Sequence, residues 1–105
     1  MTRRTSMILI ILFVVFVPQI GVSGDKETIE YGKQLFNDPA FAMSTNDKSC
    51  NSCHPDGKGI GPATNGDYSE MINRCIVGAL RGQPLEKDSK KMQAMQAYLQ
   101  SLVQQ

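Results

Sequence analysis

The sequence predicts a small all-α domain, and three observations support that prediction. Apolar residues recur at i, i+3 and i+4 spacing in three stretches, as they do on the buried face of a helix. No stretch alternates apolar and polar residues in the way of a half-buried strand. The chain has 105 residues, which is enough for one small domain and too few for an enzyme with its own substrate domain.

The first 24 residues are predicted to be a secretory signal peptide. Arg3 and Arg4 form a basic start, the 11 residues at 7–17 are all apolar, and residues 22–24 have the small or apolar character of a cleavage site. Eleven apolar residues are too few to cross a bilayer as a helix, which takes about 20. We therefore expect an exported protein in the periplasm or an equivalent extracytoplasmic compartment, with no membrane anchor after cleavage.

Cleavage after Gly24 would leave one domain of 81 residues, 25–105, with almost no net charge. The whole chain has 11 Lys and Arg against 10 Asp and Glu, and loss of Arg3 and Arg4 leaves 9 against 10. This balance argues against a nucleic-acid partner and provides no basic surface for membrane lipid. Because so short a domain gains little stability from apolar burial alone, it often needs a disulfide, a metal or a cofactor.

Two of the three main helices are expected at the ends of this domain. Asp25 can cap a helix that continues to about Asn37, and Ser89 can start the last helix. The residues expected on the inner faces of these two helices are Ile29, Gly32, Leu35, Phe36, Met92, Met95, Leu99, Leu102 and Val103. Lys90 and Lys91 lie in the first turn of the last helix, where the helix dipole disfavours them, and we attribute them to a partner.

The middle helix is expected from about residue 67 to residue 80. Asp67 and Glu70 have the spacing of a capping box, and Gly82 suits the helix stop. The residues expected on its apolar stripe are Tyr68, Met71, Ile72, Cys75, Ile76, Ala79 and Leu80. The preceding segment, 41–65, is rich in glycine and proline, and we expect a loop there with one helical turn around its two cysteines.

Cys50, Cys53 and His54 form the Cys-x-x-Cys-His sequence by which c-type haem is attached. Two thiols about one turn apart can form thioethers with the two vinyl groups of one porphyrin, and the adjacent histidine then lies under the iron. The predicted export signal agrees with this chemistry, because haem c is attached outside the cytoplasm. We therefore predict one covalent haem c on Cys50 and Cys53, with His54 as the proximal iron ligand.

Three alternatives compete with haem for these residues. A thioredoxin-type redox pair also uses Cys-x-x-Cys, but in a βαβ context that the sequence does not predict. A structural zinc site could use Cys50, Cys53, Cys75 and His54, although the adjacent Cys53 and His54 cannot easily both point at one tetrahedral metal. A disulfide between Cys50 and Cys53 would leave His54 without a role.

Most of the predicted domain resembles the class I cytochrome c family. Residues 31–36 are similar to the family's N-terminal helix and residues 92–102 to its C-terminal helix, with Gly32 allowing a close crossing at Tyr98 and Leu99. The resemblance implies a small cytochrome c-type fold, in which three main helices surround one covalently attached haem.

The family resemblance also implies a hydrogen-bond partner for the proximal histidine. In one respect this sequence differs from the family. Pro62, in Gly61-Pro62, is expected to accept the Nδ1 hydrogen bond of His54 and fix its tautomer. The usual distal methionine is missing, because residues 81–88 contain neither methionine nor histidine. Another residue must bind the iron there, or the distal side is open.

Cys75 is the leading candidate for the distal ligand, since it is the cysteine left over and lies on the apolar stripe. The run 71–75, with Gly82-Gln83-Pro84-Leu85, Asp88-Ser89 and Met92, resembles the haem domains of thiosulfate dehydrogenases and the small cytochrome subunits of the NaxL/NaxS type. That resemblance implies histidine/cysteine ligation. The alternative for Cys75 is a buried structural thiol. The other candidate ligands are Met71, Met92, Met95 and Lys87, whereas Met43 is expected to pack at the rim of the haem site.

A thiolate donates electron density to iron and favours the ferric state, so we predict a low-potential haem. If Cys75 leaves ferrous iron, carbon monoxide or nitric oxide could bind there. The expected function is an exported monohaem cytochrome for electron transfer or redox-linked gas binding, more readily a carrier than an enzyme. Its expected partners are a redox protein and, as the NaxL/NaxS resemblance implies, a second small cytochrome c in a heterodimer. The alternative is a haem-thiolate enzyme acting on thiosulfate or related sulfur compounds.

Overall fold

A computed structural model of the chain describes Ile11 and residues 24–103. The predicted signal peptide therefore lies outside the described residues, apart from Ile11 and Gly24. The described part contains four α-helices, which are α1 (Lys26–Phe36), α2 (Cys50–Cys53), α3 (Ser69–Gly78) and α4 (Lys90–Val103). It contains no strand, which confirms the all-α prediction. Three helices match the expected main helices, and the fourth, α2, is the expected turn around the cysteines.

Among the described residues, no helix combines the length and the apolar character that a membrane span requires.

Both end helices begin where the sequence predicts. The Asp25 carboxylate accepts a hydrogen bond from the Thr28 backbone N–H at 2.8 Å, and the Ser89 hydroxyl accepts one from the Met92 N–H at 3.2 Å. These caps satisfy amide groups that the first turn of a helix leaves without partners.

α1 and α4 cross closely, and Gly32 lies at the crossing. A Cβ atom at Gly32 would lie 2.7 Å from the carbonyl carbon of Ala94 and 2.8 Å from the Cβ of Tyr98, so a side chain does not fit there. Beside the crossing, the rings of Phe36 and Tyr98 meet edge to face with their centroids 5.2 Å apart. The predicted close crossing is confirmed at Tyr98, whereas the second contact residue is Ala94 and not the expected Leu99.

The hydrophobic core lies between this helix pair and α3. Its larger buried members are Leu35, Phe36, Phe41, Tyr68, Ile72, Ile76, Leu80, Met92, Met95, Tyr98 and Leu99. The predicted inner faces are confirmed with two exceptions. Val103 is 44% exposed at the last residue of α4, and Ala79 is exposed just after the end of α3, where it lines an apolar cavity.

Lys90 has a contact within the chain that was not predicted. Its ammonium group lies 5.8 Å from the centroid of the Tyr31 ring on α1, at the distance of a cation–π contact. This contact partly offsets the unfavourable position of Lys90 in the first turn of α4. Lys91 is exposed, and its attribution to a partner stays a prediction.

The start and stop signals predicted for α3 are wrong. Asp67 accepts hydrogen bonds from the backbone N–H and the hydroxyl of Ser69, at 2.9 Å and 2.6 Å, and Glu70 pairs with Arg74 at 3.0 Å instead of closing a capping box. The helix ends at Gly78, four residues before Gly82. Gly82 is needed for a close approach, since a Cβ atom there would lie 2.5 Å from the Ala42 carbonyl oxygen.

The contacts of Asp67 predict acid sensitivity. Hydrogen bonds from Ser69 and then the Lys87 ammonium, 3.1 Å away, lower the pKa of Asp67 from 3.8 to about 2. Because the folded-state pKa is the lower one, Asp67 stabilises the fold above about pH 4, and this contribution is lost as the pH falls toward 2. Denaturant titrations across this pH range should show a smaller loss of stability in Asp67→Asn than in wild type. Asp88→Asn removes another exposed carboxylate and should follow wild type; equal pH profiles for all three would contradict the prediction.

Candidate functional site

An apolar cavity of about 140 Å³ lies between the cysteine turn, α3 and α4. Its lining includes all four predicted site residues, Cys50, Cys53, His54 and Cys75. The rest of the lining is mainly apolar and includes Phe36, Ile60, Met71, Ile72, Met95 and Leu99. The fold therefore brings the middle-helix cysteine to the same space as the Cys-x-x-Cys-His motif, which sequence spacing alone did not require.

A capping box holds α2 and places Cys50 and Cys53 about one turn apart. The Ser49 hydroxyl accepts a hydrogen bond from the Ser52 N–H at 3.3 Å, and the Ser52 hydroxyl accepts one from the Ser49 N–H at 3.0 Å. The His54 N–H then donates to the Cys50 carbonyl at 2.9 Å, which completes the helical turn. This box was not predicted, because the usual third-position residue is Glu or Gln rather than Ser.

The three described cysteines are free thiols, so the alternative disulfide between Cys50 and Cys53 is not formed in this structure. Cys50 and Cys75 are half-buried, whereas Cys53 is exposed. Burial, and to a smaller extent the nearby Cys75 and Cys53 thiols, raise the pKa of the Cys50 thiol from 9.0 to about 11. Cys50 is therefore a neutral thiol at neutral pH, and it lies near enough to Cys75 to be affected by its charge.

The imidazole of His54 is oriented by a backbone carbonyl. Its Nδ1 lies 2.9 Å from the carbonyl oxygen of Lys58. Because a carbonyl oxygen can only accept, Nδ1 carries the proton and donates it, which leaves the Nε2 lone pair free to bind a metal. This is the arrangement that a proximal iron ligand requires.

The predicted acceptor for His54, the carbonyl of Pro62, is wrong in this structure. A 3₁₀ turn at Pro55–Gly57 folds the chain back directly after the histidine, so Lys58 reaches the ring first. Gly59 follows with φ of +84°, and a Cβ atom there would lie 3.5 Å from Nδ1. The tight turn, and not the proline several residues later, therefore sets the tautomer.

Asn73 fastens the loop before α4 to the middle helix. Its side-chain amide donates to the Leu85 carbonyl at 2.9 Å, and its side-chain oxygen accepts from the Leu85 N–H at 2.8 Å. This role was not predicted. The available signal was an asparagine in the middle of a helical pattern, where it is unfavourable unless its side chain finds a partner.

The C-terminal end of α3, just beyond Cys75, is held by the loop that precedes the cysteines. Ser44 donates to the Leu80 carbonyl at 2.7 Å, and Asn46 donates to the Ala79 carbonyl at 2.8 Å. In the same loop Met43 is 74% exposed and is absent from the cavity lining, so the expected rim packing is not observed. Together with Asn73, this loop fixes α3 at the cavity wall.

The structure also reduces the number of residues that could serve as the distal iron ligand. Met71 and Met95 line the cavity, whereas Met92 is fully buried in the core away from it. Lys87 lies outside the cavity lining and pairs with Asp67. The lining therefore offers Cys75, Met71 and Met95 as sulfur groups beyond the two motif cysteines.

The zinc and thioredoxin alternatives gain no support from the described residues. Across 24–103 no three His, Cys, Asp or Glu side chains are placed to hold one metal ion, although a zinc site needs four such donors. The same range has no strand, so the βαβ context of a thioredoxin-type pair is missing. Haem iron needs only one or two ligands from the chain, because the porphyrin supplies four nitrogens.

Comparison of the chain with known protein families, with curated proteins and with solved structures found no match. The class of site therefore follows only from the chemistry and positions of its own residues. Two thiols one turn apart, an imidazole with Nε2 free and a third thiol in the wall of an apolar cavity fit a covalently attached porphyrin.

Proposed function

We propose that this chain is an exported monohaem c-type cytochrome, in which Cys50 and Cys53 hold haem c and His54 and Cys75 bind its iron. One observation carries the proposal. The Cys-x-x-Cys-His motif opens onto an apolar cavity whose wall also contains Cys75. Apolar walls suit a porphyrin, because its large apolar faces gain free energy by leaving water. The proposed architecture is a small cytochrome c-type fold with the three main helices around the haem.

Each site residue has a distinct role in this proposal. The two motif thiols form thioether bonds to the vinyl groups, which tie the cofactor to the chain at α2. His54 binds through Nε2, while the Lys58 carbonyl holds the ring and increases its basicity. When bound, the haem supplies a one-electron couple at its iron. Cys75, held on α3, binds as a thiolate and lowers the reduction potential.

This ligand pair supports electron transfer with a redox partner protein, and gas binding in the reduced state. As a thiolate, Cys75 would be held less tightly once the iron is reduced, and its release would make room for carbon monoxide or nitric oxide. A heterodimer with a second small cytochrome c, as in the NaxL/NaxS type that the sequence resembles, is part of the proposal. Exposed Lys91 is available to such a partner.

The charges near the cavity favour a carrier over an enzyme acting on thiosulfate. The described lining of the cavity contains no Lys or Arg. In a polar groove beside the cavity, between the 61–67 loop and α3, Arg74 is paired with Glu70 and Lys87 with Asp67. A thiosulfate dianion would therefore lose its hydration without gaining a free cationic partner.

Covalent haem is the first test. The full chain should be produced in bacteria that have haem c maturation machinery, and the exported product examined by intact-mass spectrometry. We expect cleavage after Gly24 and one haem that stays attached on denaturation. The double variant Cys50→Ala/Cys53→Ala should lack it, whereas Cys75→Ala should keep it. An exported wild-type product without bound haem would overturn the proposed function.

A further inference from the structure

We propose that Met71 and Gly61 form the access route by which a small uncharged ligand such as carbon monoxide reaches the Cys75 side of the apolar cavity. This route presupposes the proposed function, because the ligand is taken to bind haem iron. The inference concerns which residues control access and which kind of ligand they admit.

The apolar cavity has a polar neighbour. A groove of about 690 Å³ lies between the 61–67 loop and α3, and its lining includes both ion pairs of that region. Among the described residues, Met71 and Gly61 are the two that line both spaces. These two residues therefore lie where the groove meets the apolar cavity.

The boundary that Met71 and Gly61 form between the groove and the cavity can open easily. Met71 is half-buried and has an unbranched side chain with three rotatable bonds, so it can move aside at low cost. Opposite it, a Cβ atom at Gly61 would have no heavy atom within 4 Å, which shows open space on that side. The backbone of Gly61 lies outside the left-handed region, so a side chain can be added there without strain.

Met71 also lies close to Cys75, the proposed distal iron ligand. Met71 precedes Cys75 by four residues on α3, which places their Cα atoms about 6 Å apart along the helix axis. Both side chains line the cavity. A ligand that passes Met71 would therefore enter the cavity about one helical turn from Cys75.

The charges of the groove select for ligand type. Lys87 pairs with Asp67 at 3.1 Å and Arg74 with Glu70 at 3.0 Å, so the two cations and two anions cancel. Such a groove does not steer anions inward, and the apolar cavity behind it disfavours them. The route therefore suits an uncharged diatomic, whose binding rate should not depend on salt concentration.

Carbon monoxide rebinding after flash photolysis of the reduced holoprotein tests this route. We expect Met71→Ala to raise the bimolecular rate about tenfold, and Gly61→Leu to lower it about tenfold. Met71→Leu keeps the volume but has a branched, less flexible side chain, so it should bind more slowly than wild type and more slowly than Met71→Ala. Gly78→Leu is the matched control for an added side chain, since Gly78 also faces open space but lies outside the cavity lining.

The same variants are measured a second time in a Cys75→Ala background, where no thiol competes for the iron. Equal rates for Met71→Ala, Gly61→Leu and wild type in both backgrounds would overturn the route while leaving haem ligation intact. A changed absorption spectrum of reduced Met71→Leu would also overturn it, because Met71 would then be an iron ligand. Failure of the proposed function is seen separately, as absent haem or a ferric spectrum without a thiolate ligand.

Discussion

In the proposed haem-bound protein, replacing Cys75 with methionine is expected to raise the midpoint reduction potential by on the order of 0.2 V, within the ~0.8 V range that axial ligands set. A thiolate adds negative charge and electron density to the iron, which stabilises the ferric state, whereas a thioether stabilises the ferrous state. Cys75 lies in the cavity wall on a helix fixed by Asn73 and Ser44, so the new side chain starts from a well-held position.

Spectroelectrochemical titration measures this change, and electron paramagnetic resonance of the ferric protein identifies the ligand. Cys75→Ala should lose the thiolate signal as well, but bind carbon monoxide more readily when reduced. Met95→Leu is a matched control, because Met95 lines the same cavity from α4 and should leave the potential near wild type. A thiolate signal that survives in Cys75→Ala would show that another sulfur group holds the iron.

Replacing Gly32 with alanine is expected to lower the free energy of unfolding by about 3 kcal/mol, the upper range for overpacking a core. The new methyl group would lie 2.7 Å from the Ala94 carbonyl carbon and 2.8 Å from the Tyr98 Cβ. The carbonyl belongs to a helix backbone and cannot rotate away, so α1 and α4 must separate. That separation would also disturb the contact between the Phe36 and Tyr98 rings.

Gly78→Ala is the matched control for Gly32→Ala. It adds the same methyl group at the last residue of α3, where no heavy atom lies within 4 Å. We expect it to be neutral or to stabilise by about 0.5 kcal/mol, because alanine restricts the unfolded chain more than glycine does. Urea titrations of the holoproteins compare the two variants, and similar stabilities for both would contradict the close crossing.

The local features of the fold could be predicted because their causes lie within a few residues. Asp25 and Ser89 are caps whose partners are three residues away, and both begin helices where expected. The close crossing at Gly32 was instead expected from the resemblance of residues 31–36 to the N-terminal helix of class I cytochromes c. The predicted capping box at Asp67 did not form, because its Oδ1 accepts instead from the backbone N–H and the hydroxyl of Ser69, two residues away.

The candidate site was only partly predictable. Cys50, Cys53 and His54 form a contiguous motif whose spacing alone indicates haem attachment, and Cys75 was selected by its place on an apolar stripe. The partner of His54 was not predictable, because it depends on how tightly the chain turns after the motif. The paired hydrogen bonds between Asn73 and Leu85 depend on where a distant loop crosses α3.

The helical class, the helix starts at Asp25 and Ser89 and the five-residue Cys-x-x-Cys-His motif that predicts covalent haem could be read from the sequence, since each depends on periodicity or short-range spacing. The folded chain was needed to show that Cys75 shares a cavity with that motif, and that Lys58 rather than Pro62 orients the histidine. It also placed Met71 and Gly61 between the cavity and a charge-balanced groove. These arrangements depend on how separate segments pack around a common apolar space, and packing depends on the whole chain at once.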